Sequence, residues 1–219
     1  MWTTMKAKTL QAMMVTASLV AAPVLAKGKP AATPPSAQPP AADAKPTVAP
    51  QKFVESLYER LNGLSKASPT LDVLHEKIGA ELKGIIDYTE MARLALGTKW
   101  TEINDLQRKE FIEYLTRMVQ NTYVKRFKPG QAVDIRYGAA PKALPDDRVQ
   151  VATTITVGKT SAEVNYALRP AQGRWWVYDI VVDDASQVQT YRQSFKKILD
   201  KEGWPGLIAR MKKAAEKKV

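Results

Sequence analysis

The chain has 219 residues, 45% of them hydrophobic, a formal net charge of +11 and no cysteine. Without thiols there is no disulfide framework, lipobox, thiol nucleophile or Cys-based metal site. The single histidine, His75, lies in a polar stretch of a helical pattern, and neither a Gly-rich phosphate loop nor a zinc spacing occurs, so neither an enzyme nor a cofactor is expected.

Lys6 and Lys8 precede an uncharged apolar stretch from about Leu10 to Val24, and Val24-Leu25-Ala26 is a small-residue pattern that signal peptidase accepts. Residues 1–26 are expected to be a secretory signal peptide cleaved after Ala26, which delivers the mature protein to the periplasm. The apolar stretch falls short of the roughly 20 residues that a spanning helix needs. From Lys27 to Pro50 the chain is mostly Ala, Pro, Ser, Thr and Lys, too poor in apolar surface to offset the entropy of ordering it, and is expected to be a flexible tether. Residues 51–219 fit one domain. Removing Lys6 and Lys8 leaves +9 on the mature chain. That balance favours acidic partners; export and the dispersal of the cations argue against nucleic acid, leaving an anionic membrane surface or simply solvated helix faces.

Phe53, Val54, Leu57, Tyr58, Leu61 and Leu64 recur at helical spacing, as do Leu71, Leu74, Ile78, Leu82 and Ile85 after the break at Pro69. Asp87 is placed to cap a short third helix that runs through Leu96 and closes at Gly97, and Thr101 to cap a long fourth helix carrying Phe111, Leu115, Met118, Val119 and Tyr123. Pro129-Gly130 ends the helical half. The period then changes to 2: Val133 to Tyr137, Val149 to Val157, Ala162 to Leu168 and Trp175 to Asp183 read as strands, with a tight hairpin at Gly158-Lys159. Helical spacing returns at Val188, Tyr191, Phe195 and Ile198, stops at Gly203 and resumes after Pro205. Helices, then strands, then helices predict an α+β fold. The last strand is large and apolar on both faces apart from Asp179, so both faces must be covered, by helix layers or by something bound.

The segment from Trp175 to Leu199 resembles the signature of the MlaC (toluene-tolerance) family, with matches at Trp175, Val177, Tyr178, Asp179, Ile180, Ser186, Tyr191, Arg192 and Phe195. A second stretch is similar at Met91, Leu96, Gly97, Trp100, Gln107, Arg108 and Phe111, and the segments 121–123 and 164–168 fit as well. Trp176, Asp183-Asp184 and the Pro/Ala-rich tether depart from the pattern. The resemblance implies a periplasmic carrier that buries the acyl chains of a phospholipid and shuttles it between an inner-membrane ABC transporter complex and an outer-membrane lipoprotein-porin complex. The alternatives are a hopanoid or other lipid as cargo, and a periplasmic interaction module with a filled core. The expected fold is α+β, an antiparallel sheet of about four strands packed against N- and C-terminal helices and enclosing an apolar cavity.

Burying one methylene is worth about 0.8 kcal/mol, so an acyl chain of about 16 carbons represents on the order of 12 kcal/mol and needs nearly complete cover. By alternation and by resemblance the lining is expected at Leu94, Trp100, Met118, Val119, Val151, Tyr166, Tyr178, Ile180, Phe195 and Ile198, all of which are also what an ordinary core requires. Tyr123, Tyr178 and Tyr191 suit a half-wet mouth. Arg126 and Arg192 suit a phosphate, with a buried pair to Asp179 the competing reading for Arg192.

Overall fold

A computed structural model describes residues 45–217. The expected signal peptide and most of the expected tether lie outside the described residues.

Helix α1 (Pro50–Ala67) starts on a proline, whose missing N–H is no loss in a first turn, and buries Val54, Leu57, Tyr58, Leu61 and Ser65 along one stripe. The ordered chain reaches back beyond the expected boundary at residue 51, because the Val48 carbonyl accepts the indole N–H of Trp175 at 2.8 Å. Helix α2 (Leu71–Ile85) is capped by the Thr70 hydroxyl and buries Leu74, Ile78, Leu82 and Ile85. Helix α3 (Tyr88–Leu96) has the expected ends: the Asp87 carboxylate accepts from Glu90 N–H at 2.9 Å, and Gly97 takes φ 59°. A one-turn helix, α4 (Lys99–Glu102), follows.

The long helix α5 (Asp105–Val124) corrects the expected cap. Thr101 lies inside α4 with its hydroxyl turned to the Thr98 carbonyl at 2.8 Å, and Asn104 caps α5 through a reciprocal box with Gln107. Asn-x-x-Gln satisfies two orphan N–H groups at once, which a threonine consumed by its own turn cannot do.

Six strands form one antiparallel sheet in the order β1-β3-β4-β5-β6, with β2 also paired to β3. The four long ones are those expected: β1 (Asp134–Tyr137), β3 (Val149–Val157), β4 (Thr160–Ala171) and β5 (Arg174–Val182). Two-residue strands, β2 (Lys142–Ala143) and β6 (Ala185–Ser186), are too short for any periodicity to announce them. The tight hairpin at Gly158-Lys159 forms, with Val157 facing Thr160. The turn from β4 to β5 has positive φ at Gln172 and Gly173, and that from β5 to β6 at Asp183 and Asp184, both of the primed kind that matches strand twist. A bulge shifts the β4–β5 register between Ala167, opposite Asp179, and Leu168, opposite Val177. It leaves Tyr178 as the extra residue on β5.

Helix α6 (Gln187–Ala215) is two segments joined at Gly203, φ 65° and ψ −169°, just before Pro205, as the interrupted periodicity predicts. Across the sheet, the face bearing Arg136, Ala152 and Glu163 is exposed, whereas the face bearing Val151, Tyr166 and Ile180 is buried under helices.

Candidate functional site

The buried sheet face carries a continuous cross-strand row. Val151 on β3 pairs with Tyr166 on β4, which pairs with Ile180 on β5, and none is more than 6% exposed. Alternation with period 2 puts all three on one face, and the antiparallel register aligns them. Tyr166 and Tyr58 of α1 meet edge-on, with centroids 6.2 Å apart, and their hydroxyls hydrogen-bond to each other. Burial pushes both phenols above the ordinary tyrosine range, so they remain neutral.

Facing the row, α5 and α6 contribute the second set of expected residues. Val119 is fully buried, and Phe195 is set edge-on to Phe111 at 5.3 Å and stacked on Tyr191 at 5.5 Å. Burial pushes the Tyr191 hydroxyl up to about 12, partly offset by the polar side chain of Thr122 nearby. Tyr123 is half-buried, and the exposed Arg126 lies over its ring, 5.7 Å from the centroid. Leu94, Met118 and Ile198 are half-buried and pack against the same core.

Three expected residues stand elsewhere. Trp100 is half-buried in α4 beneath Arg108, which lies 5.3 Å from its ring and donates to its carbonyl. Tyr178, carried by the bulge, is covered by the Arg148 guanidinium at 4.7 Å. Arg192 is exposed and does not pair with Asp179; its guanidinium lies over Gly97, where an added Cβ would stand 2.9 Å from Nη2. Asp179 instead accepts from the Ser186 hydroxyl at 2.5 Å and from the N–H groups of Ile180 at 2.8 Å and Val188 at 3.0 Å. The start of α6 supplies these donors, so no guanidinium is needed.

The second face of β5 is likewise covered by arginine. Arg174 lies 3.6 Å above the Trp176 ring, whose N–H reaches the Ala171 carbonyl, and Arg148 covers Tyr178. The expected apolar cavity between the row and the helices is not shown among the described residues. Two concavities, of about 380 and 470 Å³, are open grooves beside α2, lined by His75, Gly79 and Gln120 in one and by Arg60, Glu81 and Arg174 in the other.

Sequence reading passed over Tyr58 and Tyr88 as site residues. Tyr88 is 7% exposed, and its buried hydroxyl has no hydrogen-bond partner. The available signal was the chain's eight tyrosines against four phenylalanines, with hydroxyls where a core would take plain rings.

Fold and site together define an α+β protein whose helices cover one sheet face over an apolar interior set with tyrosines. The chain belongs to the MlaC family: the family model described as MlaC protein matches residues 51–213. Among solved structures it is similar to the phospholipid-binding protein from Ralstonia solanacearum in complex with a phospholipid, at 18% identity and a TM-score of 0.69, over 77% of this chain and 97% of that one. At that identity the likeness is one of fold. No helix among the described residues is long and apolar enough to cross a membrane.

Proposed function

We propose that this protein is a periplasmic carrier that buries the acyl chains of a phospholipid and moves it between an inner-membrane ABC transporter complex and an outer-membrane lipoprotein-porin complex. The observation that carries the reading is the Val151–Tyr166–Ile180 row, a buried apolar strip across three strands roofed by amphipathic helices. Membership of the MlaC family, and a solved structure of the same fold that holds a phospholipid, support it. In this reading the acyl chains part the helices from the row and take the place of the contacts that close it. The area uncovered by opening is recovered against the chains, so opening without lipid is disfavoured and opening onto lipid is not. Arg126, over Tyr123 at the exposed edge, is suited to the phosphate of the headgroup.

The test is to purify the mature chain without added lipid and weigh it by native mass spectrometry before and after delipidation. The expected result is an adduct of phospholipid mass, removed by organic extraction. Equal masses would favour the second reading, an interaction module with a filled core, which the full burial of Phe111, Leu115 and Val119 suits.

A further inference from the structure

Tyr88 opens α3, and the residue before it is fixed twice. The preceding Asp87 donates its N–H to the Val177 carbonyl of β5 at 2.8 Å and caps the helix through its carboxylate. The ring is buried and the hydroxyl meets no acceptor or donor. The other buried side-chain polar atoms without a hydrogen bond among the described residues are of a different kind: Arg169 Nε lies 2.9 Å from Asp87 in an ion pair, and Ser68 Oγ sits where α1 ends. An orphaned phenol is a standing cost that phenylalanine would avoid at the same shape.

The surroundings of this hydroxyl are graded. Thr122 and Arg126 are exposed; Tyr123 and Tyr191 are half-buried beside them; Tyr88, within electrostatic reach of Tyr191, is buried. Tyr58 and Tyr166 have each other as partners, whereas the buried hydroxyl of Tyr88 has none among the described residues. Charged rim, neutral donor and apolar row follow the order of a glycerolipid itself: headgroup, ester carbonyls, chains. An ester carbonyl accepts hydrogen bonds and cannot donate them, which is the complement of an unpartnered phenol in a dry setting.

We propose that the Tyr88 hydroxyl is held ready for the carbonyl of an acyl ester, so that the protein selects ester-linked lipids over ether-linked or purely hydrocarbon ones. This rests on the carrier reading and names the class of cargo within it.

The test uses the delipidated mature chain and its Tyr88→Phe variant with two probes, a dipalmitoyl phosphatidylglycerol and the dihexadecyl ether lipid of the same headgroup. Wild type is expected to prefer the ester about fivefold to tenfold, as one buried hydrogen bond allows. Tyr88→Phe is expected to lose that preference through weaker ester binding, with ether binding unchanged. Lipid-free, it is expected to melt at or above the wild-type temperature, since the hydroxyl it removes has no partner. Equal wild-type affinity for the two lipids, or a preference that survives in Tyr88→Phe, would overturn ester recognition and leave the carrier reading standing. A lipid-free variant that melts several degrees lower would also overturn it, by revealing a partner for the hydroxyl. Binding of neither lipid would remove both readings.

Discussion

Where α3 and the start of α6 meet β5, every buried charge has a partner. Glu90, 5% exposed, receives Arg93 through Nε at 2.7 Å and Nη2 at 2.8 Å, and Arg148 at 2.8 Å, while Asp179 collects one hydroxyl and two backbone N–H groups. The buried hydroxyls, in contrast, are less uniformly held: Ser65 and Thr153 donate to backbone carbonyls and Tyr58 and Tyr166 pair, but Tyr88, at the start of α3, has no partner among the described residues. Fully partnered buried charges fix a geometry and cannot accept a ligand without losing bonds. A weakly polar, incompletely partnered interior can exchange its own contacts for those of a guest, and for this reason the tyrosine-set row, not the ionic edge, is read as the place of binding.

The sharpest way to break this contrast is to injure each region in turn. Val151→Glu sets a carboxylate into the row, where an unpaired buried charge costs several kcal/mol, and is expected to abolish the lipid adduct as well as lower the melting temperature. Asp179→Ala leaves the Ser186 hydroxyl and the N–H groups of Ile180 and Val188 without their acceptor, for a loss of about 3 kcal/mol, yet the protein that folds is expected to retain lipid. Native mass spectrometry beside denaturant melts separates the two effects. A Val151→Glu protein that still carries lipid, or an Asp179→Ala protein that folds fully and carries none, would erase the distinction.

Gly97 ends α3 at φ 59° and lies under the Arg192 guanidinium of α6. Alanine there must adopt φ 59° and ψ −129°, a region essentially reserved for glycine, at roughly 1–3 kcal/mol, and must displace a guanidinium group 2.9 Å away. The arginine is exposed and flexible, so most of the loss should be the backbone contribution. Gly97→Ala is therefore expected to destabilise by about 2 kcal/mol in urea melts, and a neutral result would mean that the turn can rearrange.

Much of this was legible in the sequence because it is local. Asp87 and Gly97 mark the ends of α3 through groups within four residues, and alternation alone puts Val151, Tyr166 and Ile180 on one face. What was not legible depends on distant partners. Thr101 and Asn104 are both good caps three residues apart, and the choice turned on which residue had a glutamine to close the box. Asp179 looked like a partner for Arg192 because residue types show charges but not the N–H groups of a helix start. The bulge that turns Tyr178 toward Arg148 is a matter of register, and Tyr88 passed for an ordinary core ring because an unpartnered hydroxyl is visible only once its neighbours are known.

The ionic edge also carries two carboxylates whose pH dependences oppose each other. Burial pushes Glu90 up, but the hydrogen bonds and charges of Arg93 and Arg148 together outweigh it and hold the group below the ordinary glutamate range. Its contribution to stability is present above the unfolded-state value of about 4.3 and is lost as pH falls through the lower folded-state value. For Asp179 burial dominates, and the bonds from Ser186, Val188 and Ile180 only partly offset it, so the group is raised. Its ionisation then works against the fold, and stability falls as pH rises from the ordinary aspartate range through the raised value. Glu90→Gln is expected to flatten the acid side of a plot of melting temperature against pH from 3 to 7, whereas Asp179→Asn should steepen it. The same change of slope in both variants would contradict this assignment.

The smallest expected effect lies at the turn between β5 and β6, where Asp183 and Asp184 both hold positive φ, 47° and 65°. A two-residue turn of this kind asks for Asn-Gly or Asp-Gly, because the second position has no use for a Cβ. Asp183 has a further task, accepting the N–H of Glu163 through its carboxylate at 3.1 Å, so it is not the residue to change. Asp184 has no such bond, and Asp184→Gly relieves a left-handed strain that aspartate tolerates better than most residues. Against that gain stands the extra freedom of glycine in the unfolded chain, worth about 0.4–1 kcal/mol in the other direction. The two nearly cancel, and the expected change is within about 0.5 kcal/mol of zero, with lipid content unaltered. A loss above about 1 kcal/mol would show that the Asp184 carboxylate supports the start of α6, and would extend the fully partnered edge one residue further into the turn.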